Sequence, residues 1–210
     1  MGIFDRLVLL ATGLVAIYLI WHFVKRQKNP DTACASNIYY IISFAVLLVA
    51  GLLLIFFGWG ALGNDLVAIV AGLIPFGLAT GLISKFYPKA EKGYLIVMII
   101  GLVLIIITRF AASGLGKVVL PIFHTIAGLT IFLLPIVAVN QKKVRGNFVL
   151  ITVGGTLIGL GGIALSFLKA GKQLLFFSQD FVLLILAPLL FLMTLFFALG
   201  LVKGELAKEE

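Results

Sequence analysis

The chain has 210 residues, of which 62% are hydrophobic and 11% charged, with a mean hydropathy of +1.24 and a formal net charge of +8. A soluble domain is about 45–50% apolar and about 25% charged, so a soluble globular protein is excluded. In a chain this apolar the positive balance reads as basic membrane-helix ends, not as a nucleic-acid surface. The single cysteine, Cys34, excludes an internal disulfide and a multi-cysteine metal site.

Seven apolar stretches predict seven spans, over 4–24, 38–57, 66–84, 94–112, 118–139, 148–168 and 181–202. About 20 apolar residues cross the hydrocarbon core as a helix, because lipid offers the backbone no hydrogen-bond partner. The expected fold is all-α: one polytopic transmembrane bundle over residues 1–210. The first stretch is too long for a signal-peptide core and runs into Lys25, Arg26 and Lys28, so it is expected to be retained.

Orientation follows from the basic residues. Lys25, Arg26, Lys28, Lys85, Lys89, Lys92, Lys142, Lys143, Arg145, Lys203 and Lys208 fall at one set of helix ends. Arg6, Arg109, Lys117, Lys169 and Lys172 fall at the other, and the two sets account for all 16 Lys and Arg. The positive-inside rule puts the larger set in the cytoplasm, hence N-terminus outside and C-terminus inside. The expected location is the cell membrane, which is the inner or cytoplasmic membrane in a prokaryote.

Helices two to seven read as three hairpins, each opening at a basic loop. Aligning Tyr94 with Phe148 also aligns Gly101 with Gly155, and Pro75, Pro121, Pro135 and Pro188 lie in the second helices. This is a weak internal repeat of the kind found in transporters. Prolines inside spans are expected to kink them. Glycines on the third and sixth stretches, Gly77, Gly81, Gly154, Gly155 and Gly159 among them, mark faces for close helix packing, within the chain or with partner subunits.

Polar chemistry at membrane depth is sparse. Arg109, preceded by Thr108, ends the fourth span. His124, followed by Thr125, lies in the fifth, and the short intervening loop predicts a similar depth for the two. Asp65 and Asp180 open the third and seventh spans on that side, and either can neutralise Arg109. Arg109 and His124, supported by Asp65, Asp180, Thr108 and Thr125, form the candidate pocket for a quinone headgroup, a haem or an anionic ligand. Its cofactor would be supplied or shared by partner subunits. His22, beside Trp21, reads as interfacial belt together with Tyr39, Tyr40 and Tyr94.

Several functions fail on residue type. His22 and His124 lie at opposite depths, so they cannot together ligate a b-type haem. A retinal protein needs a lysine within the last span, and 181–202 has none. Mid-membrane carboxylates for ion pumping and a protease Ser–His or Asp pair are also missing. No catalytic residue or metal ligand is assigned, and the protein is expected to lack catalytic activity of its own. Two readings survive. One is an integral subunit of a larger membrane complex, of the electron-transfer or respiratory kind, which scaffolds its partners. The other is a small transporter or channel for a neutral or anionic solute, for which a polar stripe through the membrane is required.

The charge asymmetry makes a topological prediction. A reporter active only in the cytoplasm should work when fused at Glu210 and stay silent when inserted after Gly116. The reverse pattern overturns the orientation.

Overall fold

The computed structural model describes residues 1–111, 115–169 and 178–204. Those residues form seven α-helices and no strand. The helices are α1 (Ile3–Lys28), α2 (Ala35–Phe57), α3 (Asp65–Phe86), α4 (Glu91–Phe110), α5 (Gly116–Asn140), α6 (Leu150–Lys169) and α7 (Gln179–Lys203). The helix bounds fall within a few residues of the apolar runs.

Six stretches are long and apolar enough to cross a membrane: Ile3–Lys28, Ala35–Gly63, Asp65–Phe86, Pro88–Phe110, Val118–Asn140 and Asp180–Lys203. Of the expected seventh, over 148–168, the described apolar stretch is Gly146–Gly162.

The helices are apolar on both faces, which is what a bilayer solvent demands. On α1, Leu9, Thr12, Ala16, Leu19 and Phe23 are buried. On the opposite face Ile3, Leu7, Leu10, Leu14, Ile17 and Trp21 are exposed, at the same helical spacing. The α4 surface is similar, with Ile96, Ile99, Ile100, Val103 and Ile107 open. A soluble monomer does not expose apolar area on this scale.

Neighbour relations place α3 inside. Helix α1 packs on α2 and α7, α2 on α3, α3 on α4 and α5, α5 on α6, and α6 on α7. The second half of α3 is buried almost all round: Phe76, Leu78, Ala79, Thr80 and Leu82. Helix α4 lies outside, against α3 and α5.

Glycine permits the tightest crossings. A Cβ on Gly77 would collide with the Ser43 hydroxyl and stand 3.1 Å from the Tyr39 carbonyl oxygen. A Cβ on Gly81 would run into the Tyr40 ring. The α6–α7 pair uses the same device. A Cβ on Gly154 would lie 3.0 Å from the Met193 carbonyl oxygen, and one on Gly200 would lie 3.0 Å from the Ile151 nitrogen. Gly155 turns the other way, to Ile131 of α5. Its aligned counterpart in the repeat, Gly101, meets Phe123 within its own hairpin. The two glycines therefore do different work.

All the basic-loop termini meet at one end. Phe86 packs edge-on against Phe148, Lys143 lies 5.4 Å over the Tyr87 ring, and the Arg145 amide donates to the Gly204 carbonyl at 2.8 Å. Lys25, Arg26, Lys28, Lys85, Lys89, Lys92, Lys142, Lys143, Arg145 and Lys203 belong to this end. Lys172 and Lys208 lie outside the described residues.

The crossings predict a graded mutational effect. Gly81→Leu should destabilise the bundle by about 1–3 kcal/mol, the usual cost of overpacking. Gly72→Ala should be near neutral, because a Cβ at Gly72 meets open space. Thermal unfolding of the two variants in detergent measures the difference.

Candidate functional site

The start of α3 is fixed by Asn64, whose side-chain oxygen accepts from the Leu66 and Val67 amides at 2.9 and 3.3 Å. This cap presents Asp65 in the first helical turn, where a carboxylate complements the helix dipole. Arg109 sits in the last turn of α4, where a cation does the same. The Arg109 guanidinium donates to the Asp65 carboxylate, closing the ends of two helices with one ion pair. Of the two acids available from sequence, Asp65 is the partner. Asp180 lies exposed in the first turn of α7, after a Ser178 cap that accepts from the Phe181 amide at 3.2 Å.

Arg109 is 23% exposed and Asp65 52%. The pair is therefore interfacial, and it leaves no bare cation at depth. Thr108 beside it is buried, and its hydroxyl donates to the Leu104 carbonyl at 2.7 Å and to the Ile105 carbonyl at 3.2 Å. That hydroxyl points back into its own helix.

His124 sits deeper than Arg109. Two contacts fix the register of α4 on α5: Gly101 faces Phe123, and the Tyr94 hydroxyl bonds the Thr130 hydroxyl at 2.9 Å. In this antiparallel register His124 stands level with Ile100, about nine residues from Arg109. At 1.5 Å per residue that is roughly 13 Å of depth. The two residues do not share a level, contrary to expectation, because α5 starts at Gly116 and carries His124 two turns inward. His124 and Thr125 are both exposed.

His124 lies beside a notch in side-chain bulk left by glycines of α5 and α6. On α5, His124, Gly128 and Ile131 follow one another at helical spacing. Ile131 meets Gly155 of α6, and the Thr152 hydroxyl of α6 donates to the Phe132 carbonyl at 2.7 Å. One turn further from the basic end, Gly128 and Gly159 come level with each other. Both are exposed, and a Cβ on either would meet nothing within 4 Å. His124 follows one turn beyond Gly128 on α5.

A second polar cluster, at the basic end, escaped the sequence reading. Glu91 opens α4 and accepts from the Tyr39 hydroxyl of α2 at 2.9 Å and from the Ser84 hydroxyl of α3 at 2.7 Å. One carboxylate thus ties three helices. The available signal was a lone acid among Lys85, Lys89 and Lys92, with a tyrosine at matching depth. Nearby, Gln27 accepts from the Cys34 amide at 3.1 Å and the Asn37 amide group at 3.2 Å, which fixes the α1–α2 loop. His22 lies among Tyr18 and Phe23, in keeping with the interfacial belt. Among the described residues no group of three or more His, Cys, Asp or Glu is arranged to hold a metal ion.

Comparison with known families, with curated proteins and with solved structures finds no match.

The ion pair is partly exposed, so its expected coupling is small. A double-mutant cycle on Arg109→Gln and Asp65→Asn, read by thermal unfolding, should give a coupling of about 0.2–1 kcal/mol. A coupling near 3 kcal/mol would instead mark a desolvated, buried pair.

Proposed function

We propose that this protein is an integral subunit of a larger membrane complex, a helical scaffold without transport activity of its own. One observation carries the reading: hydroxyls in the spans are turned back onto helix backbone. Ser43 donates to the Tyr39 carbonyl at 2.9 Å, Thr80 to Phe76 at 2.7 Å, Thr156 to Thr152 at 2.8 Å and Thr194 to Leu190 at 2.8 Å. Thr130 does the same to Ile126 at 2.9 Å, and Thr152 bonds the neighbouring helix. These are the residues from which a polar stripe would have to be built. A solute pathway needs such groups facing a common lumen. Here they satisfy the backbone instead, which weighs against the transporter reading.

The partner surface in this proposal is the α5–α6 notch. Gly128 and Gly159 leave a flat, exposed place at which another helix could approach closely, and lipid does not otherwise drive helices together. In the electron-transfer version, His124 is the group that reaches the partner's quinone or haem. Its imidazole would donate to a quinone carbonyl or ligate iron. Arg109, held by Asp65, would serve the interface with headgroups. The proposed topology is seven crossings with the N-terminus outside. It is supported by the basic residues gathered at one end and by α6 running antiparallel to α7 from Ile151–Gly200 to Gly161–Leu189.

The test is the size of the complex extracted from native membranes in mild detergent. Gly159→Leu should release the chain from a larger assembly, while Gly93→Leu, also exposed with open space at its Cβ, should not. A wild-type chain that runs as a lone monomer removes the reading. An absorption spectrum of the same material shows whether haem accompanies it, and His124→Ala should alter that spectrum.

A further inference from the structure

We propose that the groove between α1 and α7 binds an anionic phospholipid, with one acyl chain along the groove and the phosphate held by Lys203 and Lys25. This goes beyond membership of a complex and does not depend on it. The groove has a volume of about 330 Å³. Leu14 and Leu195 line its deep end, and Tyr18, Val202 and Lys203 line the end near the basic loops. Helices α1 and α7 are parallel neighbours, the first and last of the bundle, both ending at the basic side.

Three further features favour a lipid as occupant. The first is shape. From Leu14 to Lys25 helix α1 rises about 16 Å, close to one leaflet of a hydrocarbon core about 30 Å thick. The second is the interfacial stripe beside the groove. Tyr18 and Trp21 are exposed, with ring centroids 6.2 Å apart, and Lys25 Nζ lies 5.6 Å over the Trp21 ring. Aromatic side chains of this kind settle at headgroup level. The third is charge. Lys203 closes the mouth and Lys25 stands exposed at the top of the stripe. Basic residues where two membrane helices meet attract anionic headgroups. An apolar slot of leaflet depth under two lysines thus matches an acyl chain under a phosphate.

The experiment uses the full chain, delipidated in detergent and reconstituted into nanodiscs of equal phosphatidylglycerol and phosphatidylcholine. Lipid retained after re-extraction is measured by mass spectrometry. The wild type should retain phosphatidylglycerol in excess. Lys203→Gln and Lys25→Gln should each reduce that excess about fivefold. Leu14→Trp, which fills the groove from its lipid-exposed edge, should lower retention of both lipids. Soluble glycerol phosphate, lacking an acyl chain, should fail to displace the lipid. Equal retention of the two lipids by the wild type overturns the proposal. So does an excess unchanged by Lys203→Gln, a variant at an exposed side chain that leaves the core untouched. Cross-linking of a second copy of the chain into the groove would overturn it in favour of a protein occupant.

Discussion

The α2–α3 crossing at Gly77 and Gly81 governs the rest of the bundle. With no Cβ at either position, the Ser43 hydroxyl and the Tyr40 ring lie against bare backbone. That brings Tyr40 inward to Phe23 of α1, at 4.9 Å between ring centroids, with Phe44 stacked on Phe23 at 6.4 Å. Helix α3 is thereby drawn to the centre, where residues 76–82 find neighbours on nearly every side. Lipid supplies little net drive for helices to associate, so contact area and close approach do that work. Helix α4 has Gly101 against Phe123 but mostly bulky aliphatics elsewhere, and it remains on the outside.

The two ends of the bundle are built differently. At the basic end, side chains and loops interlock: Glu91 joins three helices, Gln27 and Asn37 fix the first loop, and the 140–149 segment is tied to the end of α7 through Arg145 and Gly204. Exposed lysines there sit over aromatic rings, an arrangement worth about 0.5–1 kcal/mol each at the surface. At the opposite end the described residues show helix caps at Asn64 and Ser178 and the partly exposed Arg109–Asp65 pair.

Much of the architecture was legible because a bilayer reduces the reading to one variable. Apolar runs gave every helix to within a few residues, and proline did not interrupt them; Pro75, Pro135 and Pro188 all lie inside continuous helices. The choice of Asp65 over Asp180 was not legible. It depends on which helix lies beside α4, and hydropathy carries no information on that. The depth of His124 was misjudged for a related reason. A short loop makes two helix ends neighbours, but residues measured from those ends separate at 1.5 Å per position. Glu91 was passed over because an acid in a polar loop ordinarily faces water. Its role depends on Tyr39 and Ser84, which reach it from two other helices.

The separation of Arg109 from His124 changes what the half of the protein away from the basic loops can do. A shared pocket would have combined a cation with a hydrogen-bond donor on one ligand. Instead the cation is matched to its own carboxylate near the helix ends. The imidazole is left at apolar depth beside a place where two glycines leave room. A histidine there is costly unless a donor or acceptor meets it from outside the helix. Thr125 next to it is also exposed. In the proposed subunit reading, a helix or cofactor brought by another chain would complement this surface beside Gly128 and Gly159, not at the arginine.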